Sequence, residues 1–236
     1  MRDNNSILGV AGWQKNSFID FPGTVCTVLF FSGCNLACPY CHNPEIVRGT
    51  IKQQIPSETI WDFLRKRKGT IDGVVFSGGE PTLHSCLTAV SKEIIKMGYK
   101  IKLDTNGMLP EMVRKISFNY IALDVKTSPN LYKDLLKSPY HDSEKRLFES
   151  INIVKEMGEN AEIRITVAPK IINKNIICEI GKIIKGVKKV FLQPMQNKKE
   201  LLDSNFMKLN PHTIEEIKEF QKILSYYVAQ CIVRGE

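Results

Sequence analysis

A chain of 236 residues with 43% hydrophobic and 25% charged side chains has the composition of a globular protein large enough for one sizeable α/β domain. No stretch approaches the roughly 18 unbroken apolar residues of a membrane span. The start, Met1-Arg2-Asp3-Asn4-Asn5, has no apolar core of signal-peptide type, so a cytoplasmic location is expected. The formal net charge of +8 comes mainly from dispersed lysines, with denser patches at Arg65-Lys66-Arg67-Lys68 and Lys198-Lys199. No aromatic residues interleave with these runs, which argues against nucleic acid as a partner and for a solvated or docking face.

In chain order, residues 1–24 read as an N-terminal extension, followed by a strand over Val25 to Phe31. That strand runs into Ser32-Gly33-Cys34-Asn35-Leu36-Ala37-Cys38-Pro39-Tyr40-Cys41-His42-Asn43, a C-x3-C-x2-C loop. Further β-type runs lie at Gly73 to Ser77, Lys100 to Asp104, Tyr120 to Val125, Glu162 to Val167 and Lys189 to Gln193. Helical spacing of apolar residues predicts helices over Ser57 to Lys68, Ser85 to Met97, Pro110 to Ile116, Ser143 to Met157 and Asn175 to Lys185. Ser57 marks a helix start, and Gly98, Gly158 and Gly186 stand where helices must stop. From Pro211 onward, His212 to Gln230 reads as a closing amphipathic helix.

Strand and helix in sixfold alternation, with near-continuous apolar strands, predict a parallel sheet covered by helices. Polar residues recur just after strand after strand: the cysteine loop, Ser77-Gly78-Gly79-Glu80, Asp104-Thr105-Asn106-Gly107 and Asp124-Val125-Lys126. That recurrence favours a barrel over an open doubly wound sheet. Six units are fewer than eight, so the expected fold is an incomplete (βα)6 TIM-like barrel over about residues 25–196. It forms part of a single domain, 1–236, ended by a helix at about 211–230. The barrel's open side would admit a large substrate. The loops Ser128 to Asp142, with Pro129, Tyr132, Pro139 and Tyr140, and Gln196 to Asn210 read either as covers or docking elements or as plain surface connections.

Three soft thiolates within eight residues select zinc, copper(I) or an iron-sulfur cluster. They are one short of the four protein ligands of a closed zinc or ferredoxin site, which suggests a centre with one position open. Zinc held by these cysteines and His42 lacks a supporting second Cys-x2-Cys pair. Cys26, Cys86, Cys178 and Cys231 are scattered among apolar neighbours and read as small core residues; His84, His141 and His212 read as surface or loop residues.

Cys34, Cys38 and Cys41, with Tyr40 immediately before the last, resemble the signature of the radical S-adenosylmethionine enzymes. The resemblance implies that the three cysteines bind three irons of a 4Fe-4S cluster and that S-adenosylmethionine chelates the fourth through its amino and carboxylate groups. His42 and Asn43 continue the family pattern Cys-His-Asn. Gly78-Gly79-Glu80 matches the element that holds the methionine amino group. Its glycines would let backbone carbonyls approach an ammonium, and its carboxylate would pair with it.

Asp104-Thr105-Asn106 and Asp124-Val125-Lys126 resemble elements of the glycyl-radical-enzyme activases that surround S-adenosylmethionine and, in some members, a monovalent cation. Alternation aims Asp124 and Lys126 at one face, either to engage ribose hydroxyls and a carboxylate or to form a buried salt bridge. Arg164, a charge in an apolar strand, needs an anion: the methionine carboxylate or an internal carboxylate such as Glu80. Gln193 ends the sixth strand as an adenine contact.

Gly12-Trp13-Gln14-Lys15-Asn16-Ser17-Phe18-Ile19-Asp20-Phe21-Pro22-Gly23 is similar to the short activating proteins of anaerobic ribonucleoside-triphosphate reductase. Pyruvate formate-lyase activases commonly carry Gly where Phe21 stands. The implied activity is reductive cleavage of S-adenosylmethionine and hydrogen abstraction from a partner's backbone glycine, with electrons from an external donor such as flavodoxin or ferredoxin. No side chain is then required as general acid or base. The rivals are an activase of another glycyl radical enzyme, a small-molecule enzyme of deazaguanine-synthase type, and a noncatalytic iron-sulfur carrier.

Overall fold

β-Branched and aromatic runs alternate along the chain with amphipathic ones, and a computed structural model turns each kind into its expected element. It describes residues 8–51, 53–138, 142–196 and 200–235. In order the elements are β1 (Val10–Ser17), β2 (Cys26–Phe31), α1 (Pro44–Arg48), α2 (Ser57–Arg67), β3 (Gly73–Gly78), α3 (Leu87–Lys96), β4 (Lys100–Thr105) and α4 (Pro110–Val113). They continue with β5 (Tyr120–Asp124), α5 (Ser143–Met157), β6 (Ala161–Val167), α6 (Lys174–Ile183), β7 (Lys189–Pro194), α7 (Ile214–Leu224) and β8 (Gln230–Val233). The class is α/β with parallel strands, and β2 to β7 are the six strands read from the sequence. Among the described residues no helix is long and apolar enough to cross a membrane.

The chain forms two compact units, neither of them a single stretch. The first takes residues through Cys34, Glu45–Thr105 and Glu111–Tyr120. In it β1 runs antiparallel to β2, with Trp13 opposite Leu29 and Ser17 opposite Cys26. β2 and β3 pair in parallel with Val28 opposite Val75 and Phe30 opposite Ser77, and β4 continues with Lys102 opposite Val75. Leu87, Val90 and Ile94 form the buried face of α3.

The second unit takes Asn35–Pro44, Asn106–Pro110 and the chain from Ile121. In it β5, β6, β7 and β8 follow one another in parallel. Ile176, Ile177 and Ile180 make the apolar face of α6, each burial stabilising by about 2 kcal/mol. Gly158 takes a left-handed φ of 57° where α5 stops, a conformation that costs glycine nothing.

Two expectations need correction. The N-terminal extension contains strand β1, whose Gly12, Gln14, Lys15 and Asn16 hide its pattern, three of its eight residues being exposed at the sheet edge. The closing helix stops at Leu224 rather than Gln230, and the chain then turns into β8. Thr213 starts that helix with a capping box to Glu216, and the β-formers Tyr226, Tyr227 and Val228 mark its end. Ser57 does open its helix, behind a Pro56 cap position that makes no side-chain bond.

Candidate functional site

In the first unit the functional residues sit at the C-terminal ends of β3 and β4. Alternation along Lys100-Ile101-Lys102-Leu103-Asp104 puts Lys102 and Asp104 on one face. Lys102 Nζ donates to Asp104 Oδ1 at 2.5 Å with the lysine 3% exposed, and Ser77 Oγ donates to Asp104 Oδ2 at 3.0 Å. A buried ammonium persists only beside a charge that compensates its lost hydration. The sequence reading passed over Lys102, although a lysine inside an apolar strand, two residues from an aspartate, is the same signal that singled out Arg164.

Gly78 and Gly79 are required by the protein's own backbone. A Cβ on Gly79 would lie 1.8 Å from the Gly33 carbonyl oxygen, and one on Gly78 would lie 2.4 Å from Phe31 N. The approach brings Glu80 N within 2.8 Å of the same Gly33 oxygen, so this turn supports the residue before Cys34. Glu80 is fully buried; its Oε1 accepts from Thr82 N, Thr82 Oγ1 and Thr105 Oγ1 at 3.0, 2.6 and 2.8 Å. It caps the short turn Pro81–Leu83.

In the second unit the loop Asn35–Pro44 is held from two distant segments. Ala37 N donates to Leu135 O and Lys137 N to Asn35 O, at 2.7 and 3.0 Å, around a bridge between Leu36 and Leu136. Leu202 N donates to Cys41 O and Asp203 N to Pro39 O, both at 3.0 Å, and His42 Nε2 meets Gln196 O at 2.7 Å. Both long loops therefore contribute supports to the cysteine loop. Pro139, Tyr140, His141, Lys198 and Lys199, named in the sequence reading, lie outside the described residues. Asn106 Nδ2 donates to Asn35 Oδ1 at 2.8 Å, while Asn106 Oδ1 accepts from Met108 N at 3.0 Å.

The register of β5, β6 and β7 sets Asp124 opposite Arg164 and Arg164 opposite Phe191, with Thr166 opposite Gln193 in the next row. Residues opposite one another share a face. On it Asp124 Oδ1 accepts from Arg164 Nε at 2.7 Å, and Asp124 Oδ2 lies 3.1 Å from Lys126 Nζ. Asp124 and Lys126 thus form the salt bridge that the sequence left as an alternative. The anion beside Arg164 is an internal carboxylate, that of Asp124. Gln193 is half-buried on the same face.

Burial raises the Asp124 carboxyl, but Arg164 and Lys126 outweigh it and hold that carboxyl well below the usual carboxylate range. Burial pulls Lys126 down, yet the charges of Asp124 and Cys38 leave it raised. Burial also pushes up the Cys38 thiol, which Lys126 opposes. The Tyr40 hydroxyl is buried without a hydrogen-bond partner, and burial, with the charge at Cys38 adding to it, drives its pKa well above that of a free phenol. Tyr132, fully buried and absent from the sequence-derived set, accepts from Lys126 N at 2.9 Å and so props the Asp-x-Lys turn.

None of the seven cysteines is in a disulfide; Cys38 is buried, Cys34 and Cys41 partly so. Among the described residues no group of three His, Cys, Asp or Glu side chains closes on a single ion. Three soft thiols in one glycine-led loop, with an ammonium beside one of them, are the donor chemistry of an iron-sulfur centre.

The family described as the Radical SAM superfamily matches residues 28–176. The chain is 31% identical, over 95% of both lengths, to a protein of Methanocaldococcus jannaschii named as a glycyl-radical enzyme activating enzyme. It is 28% identical to the pyruvate formate-lyase-activating enzyme of Clostridium pasteurianum over 93% of this chain and 96% of that one. The crystal structure of Streptococcus suis SuiB bound to precursor peptide SuiA superposes with a TM-score of 0.64 at 15% identity, over 87% of this chain and 48% of that one, a likeness of fold.

Proposed function

The chain belongs to the radical S-adenosylmethionine superfamily, among its glycyl-radical enzyme activating enzymes, and from that premise we propose that its protein substrate is an anaerobic ribonucleoside-triphosphate reductase. Phe21 carries this choice of partner. It stands where formate-lyase activases commonly have glycine, and it is built into the first unit: 4% exposed, 6.0 Å from the Tyr120 ring, and packed at Gly73.

Cys34, Cys38 and Cys41 would hold a 4Fe-4S cluster, which with S-adenosylmethionine supplies the 5′-deoxyadenosyl radical that abstracts hydrogen from the partner's glycine. The chain's own residues fix charge and position. Lys126 offsets the negative charge at Cys38, and Asp124 anchors Lys126 and Arg164 through its two oxygens. Glu80, Thr105 and Asn106 hold the strand-end backbone, while Gly78 and Gly79 let it approach the entrance of the cysteine loop. The face bearing Arg164, Thr166 and Gln193 is polar and half-open, suited to the cofactor's ribose and adenine. Arg65 is already paired with Glu58 and Asp62, so Lys66, Arg67 and Lys68 are the charges of that patch left to meet an acidic electron donor of flavodoxin or ferredoxin type.

The monovalent cation implied near Asp104 is supplied by the chain as the Lys102 ammonium; the buried 2.5 Å pair supports this reading. Turnover is then expected to be indifferent to exchange of sodium or potassium for tetramethylammonium. Lys102→Met should lower stability by about 3 kcal/mol by stranding a buried carboxylate, with partial recovery in sodium or potassium. A wild-type protein that requires either ion would refute the assignment.

To test the partner, the reconstituted, reduced protein is incubated with S-adenosylmethionine and candidate glycyl radical enzymes, and glycyl radical is measured by electron paramagnetic resonance. Signal is expected with the reductase. Signal only with a formate-lyase-type enzyme overturns the partner assignment, and turnover of a small pterin without any protein radical overturns the activase reading.

A further inference from the structure

Folded proteins leave few buried polar atoms without a hydrogen bond, so each exception points to something the chain alone does not provide. Among the described residues the buried side-chain nitrogen and oxygen atoms without a partner are Asn35 Nδ2, Tyr40 Oη and Arg67 Nε. Two of the three lie within the eight residues from Cys34 to Cys41. Asn35 follows Cys34 directly and is 9% exposed.

The orientation of the Asn35 amide follows from its neighbours. The Met108 N–H can only donate, so the group it meets on Asn106 is Oδ1, at 3.0 Å. Asn106 therefore turns Nδ2 toward Asn35, and the atom receiving it at 2.8 Å must be Asn35 Oδ1. This leaves Asn35 Nδ2 facing away with both its protons unspent. Lys137 N occupies the Asn35 carbonyl and pins the backbone, while the bond from Asn106 holds the side-chain amide. Asn106, assigned from sequence as a cofactor contact, acts here as the residue that orients Asn35.

A buried donor held this way requires an acceptor, and two anionic acceptors belong to the chemistry of the loop: sulfur of the cluster and the carboxylate of S-adenosylmethionine. We infer that Asn35 Nδ2 donates a hydrogen bond to sulfur of the cluster held by Cys34, Cys38 and Cys41, and thereby makes that cluster easier to reduce. The inference rests on the cluster-bearing reading above. Sulfur is favoured because both unspent donors of the loop belong to residues next to a cluster ligand in the chain: Asn35 follows Cys34 and Tyr40 precedes Cys41. Hydrogen bonds to cluster sulfur stabilise the reduced, more negative state and raise its potential. Asn35 is thus a positioning and tuning residue rather than a catalytic one.

The test uses the full chain with Asn35→Leu and, as a smaller replacement, Asn35→Ala. After anaerobic reconstitution, iron and sulfide are counted, and the midpoint potential is titrated by electron paramagnetic resonance, first without and then with S-adenosylmethionine. Both variants should assemble the same iron and sulfide content as the wild type and show a more negative midpoint, already present without S-adenosylmethionine. The wild type labelled with ¹⁵N in its asparagine side-chain amides should show weak ¹⁵N coupling to the reduced cluster, a readout that does not require either variant to fold. An unchanged midpoint with full iron and sulfide, or no ¹⁵N coupling in the wild type, overturns the inference. A shift that appears only with S-adenosylmethionine assigns the donor to the carboxylate and overturns it equally. A wild-type protein that assembles no cluster refutes the underlying reading instead.

Discussion

Cys38→Ala should abolish 5′-deoxyadenosine formation while leaving the protein folded. The Cys38 side chain is small and 7% exposed, so its truncation costs about 1 kcal/mol of burial, well within the margin of an ordinary domain. The cofactor consequence is of another order. Two thiolates cannot replace three where the ligand set is already one short of a closed site, and the Lys126 ammonium loses the thiolate charge that helps raise its pKa. The variant should retain wild-type circular dichroism, bind substoichiometric iron and produce no 5′-deoxyadenosine above background. Cys26→Ala is the contrast. Cys26 is fully buried and, chiefly through that burial, pushed up to about 11, the profile of an inert core thiol. It should retain cluster and turnover. Normal product from Cys38→Ala would eliminate the loop as the cluster site.

Gly79→Ala should produce the largest loss of stability of any single-methyl addition at this site. Its Cβ would meet the Gly33 oxygen at 1.8 Å, the Gly33 carbonyl carbon at 2.7 Å and Ile46 Cγ2 at 2.9 Å. The first two are backbone atoms, which cannot rotate aside, so the strand end and the loop entrance must separate. The expected cost is about 3 kcal/mol, at the upper end for overpacking, or roughly 6–12 °C in melting temperature for a chain of this length. Because Gly33 precedes Cys34, the variant should also lose iron faster to a chelator. Gly12→Ala is the control: its Cβ would touch Phe30 at an ordinary 3.5 Å. Equal melting temperatures for the two variants would show that the approach at Gly79 can relax.

The strands that carry the site were legible because β2 to β7 are buried apolar runs with polar residues placed at their ends. Edge strands were not: β1 buries only two of its eight residues fully and β8 spans only four residues. At the site, residue types and spacing were enough to single out the three cysteines, Gly78 to Glu80 and Asp124 to Lys126. Their bonding partners were not readable. That Arg164 meets Asp124 depends on the β5–β6 register across 40 positions, and the Asn35–Asn106 contact spans 71. Gly79 shows the same limit. A glycine at a strand end is visible, but whether it makes room for a ligand or for the chain itself depends on what lies opposite.

The hydrogen bonds from Leu202 and Asp203 to the carbonyls of Cys41 and Pro39, and from His42 to Gln196 across 154 positions, also order events in time. On a ribosome the cysteines emerge long before the segment that completes their loop. The cysteine turn is therefore among the last parts of the chain to reach its final form, since contacts of such separation close late. Cofactor insertion would then reward a nearly finished chain, and a truncated product would expose three loose thiols where the complete protein presents a shaped cradle.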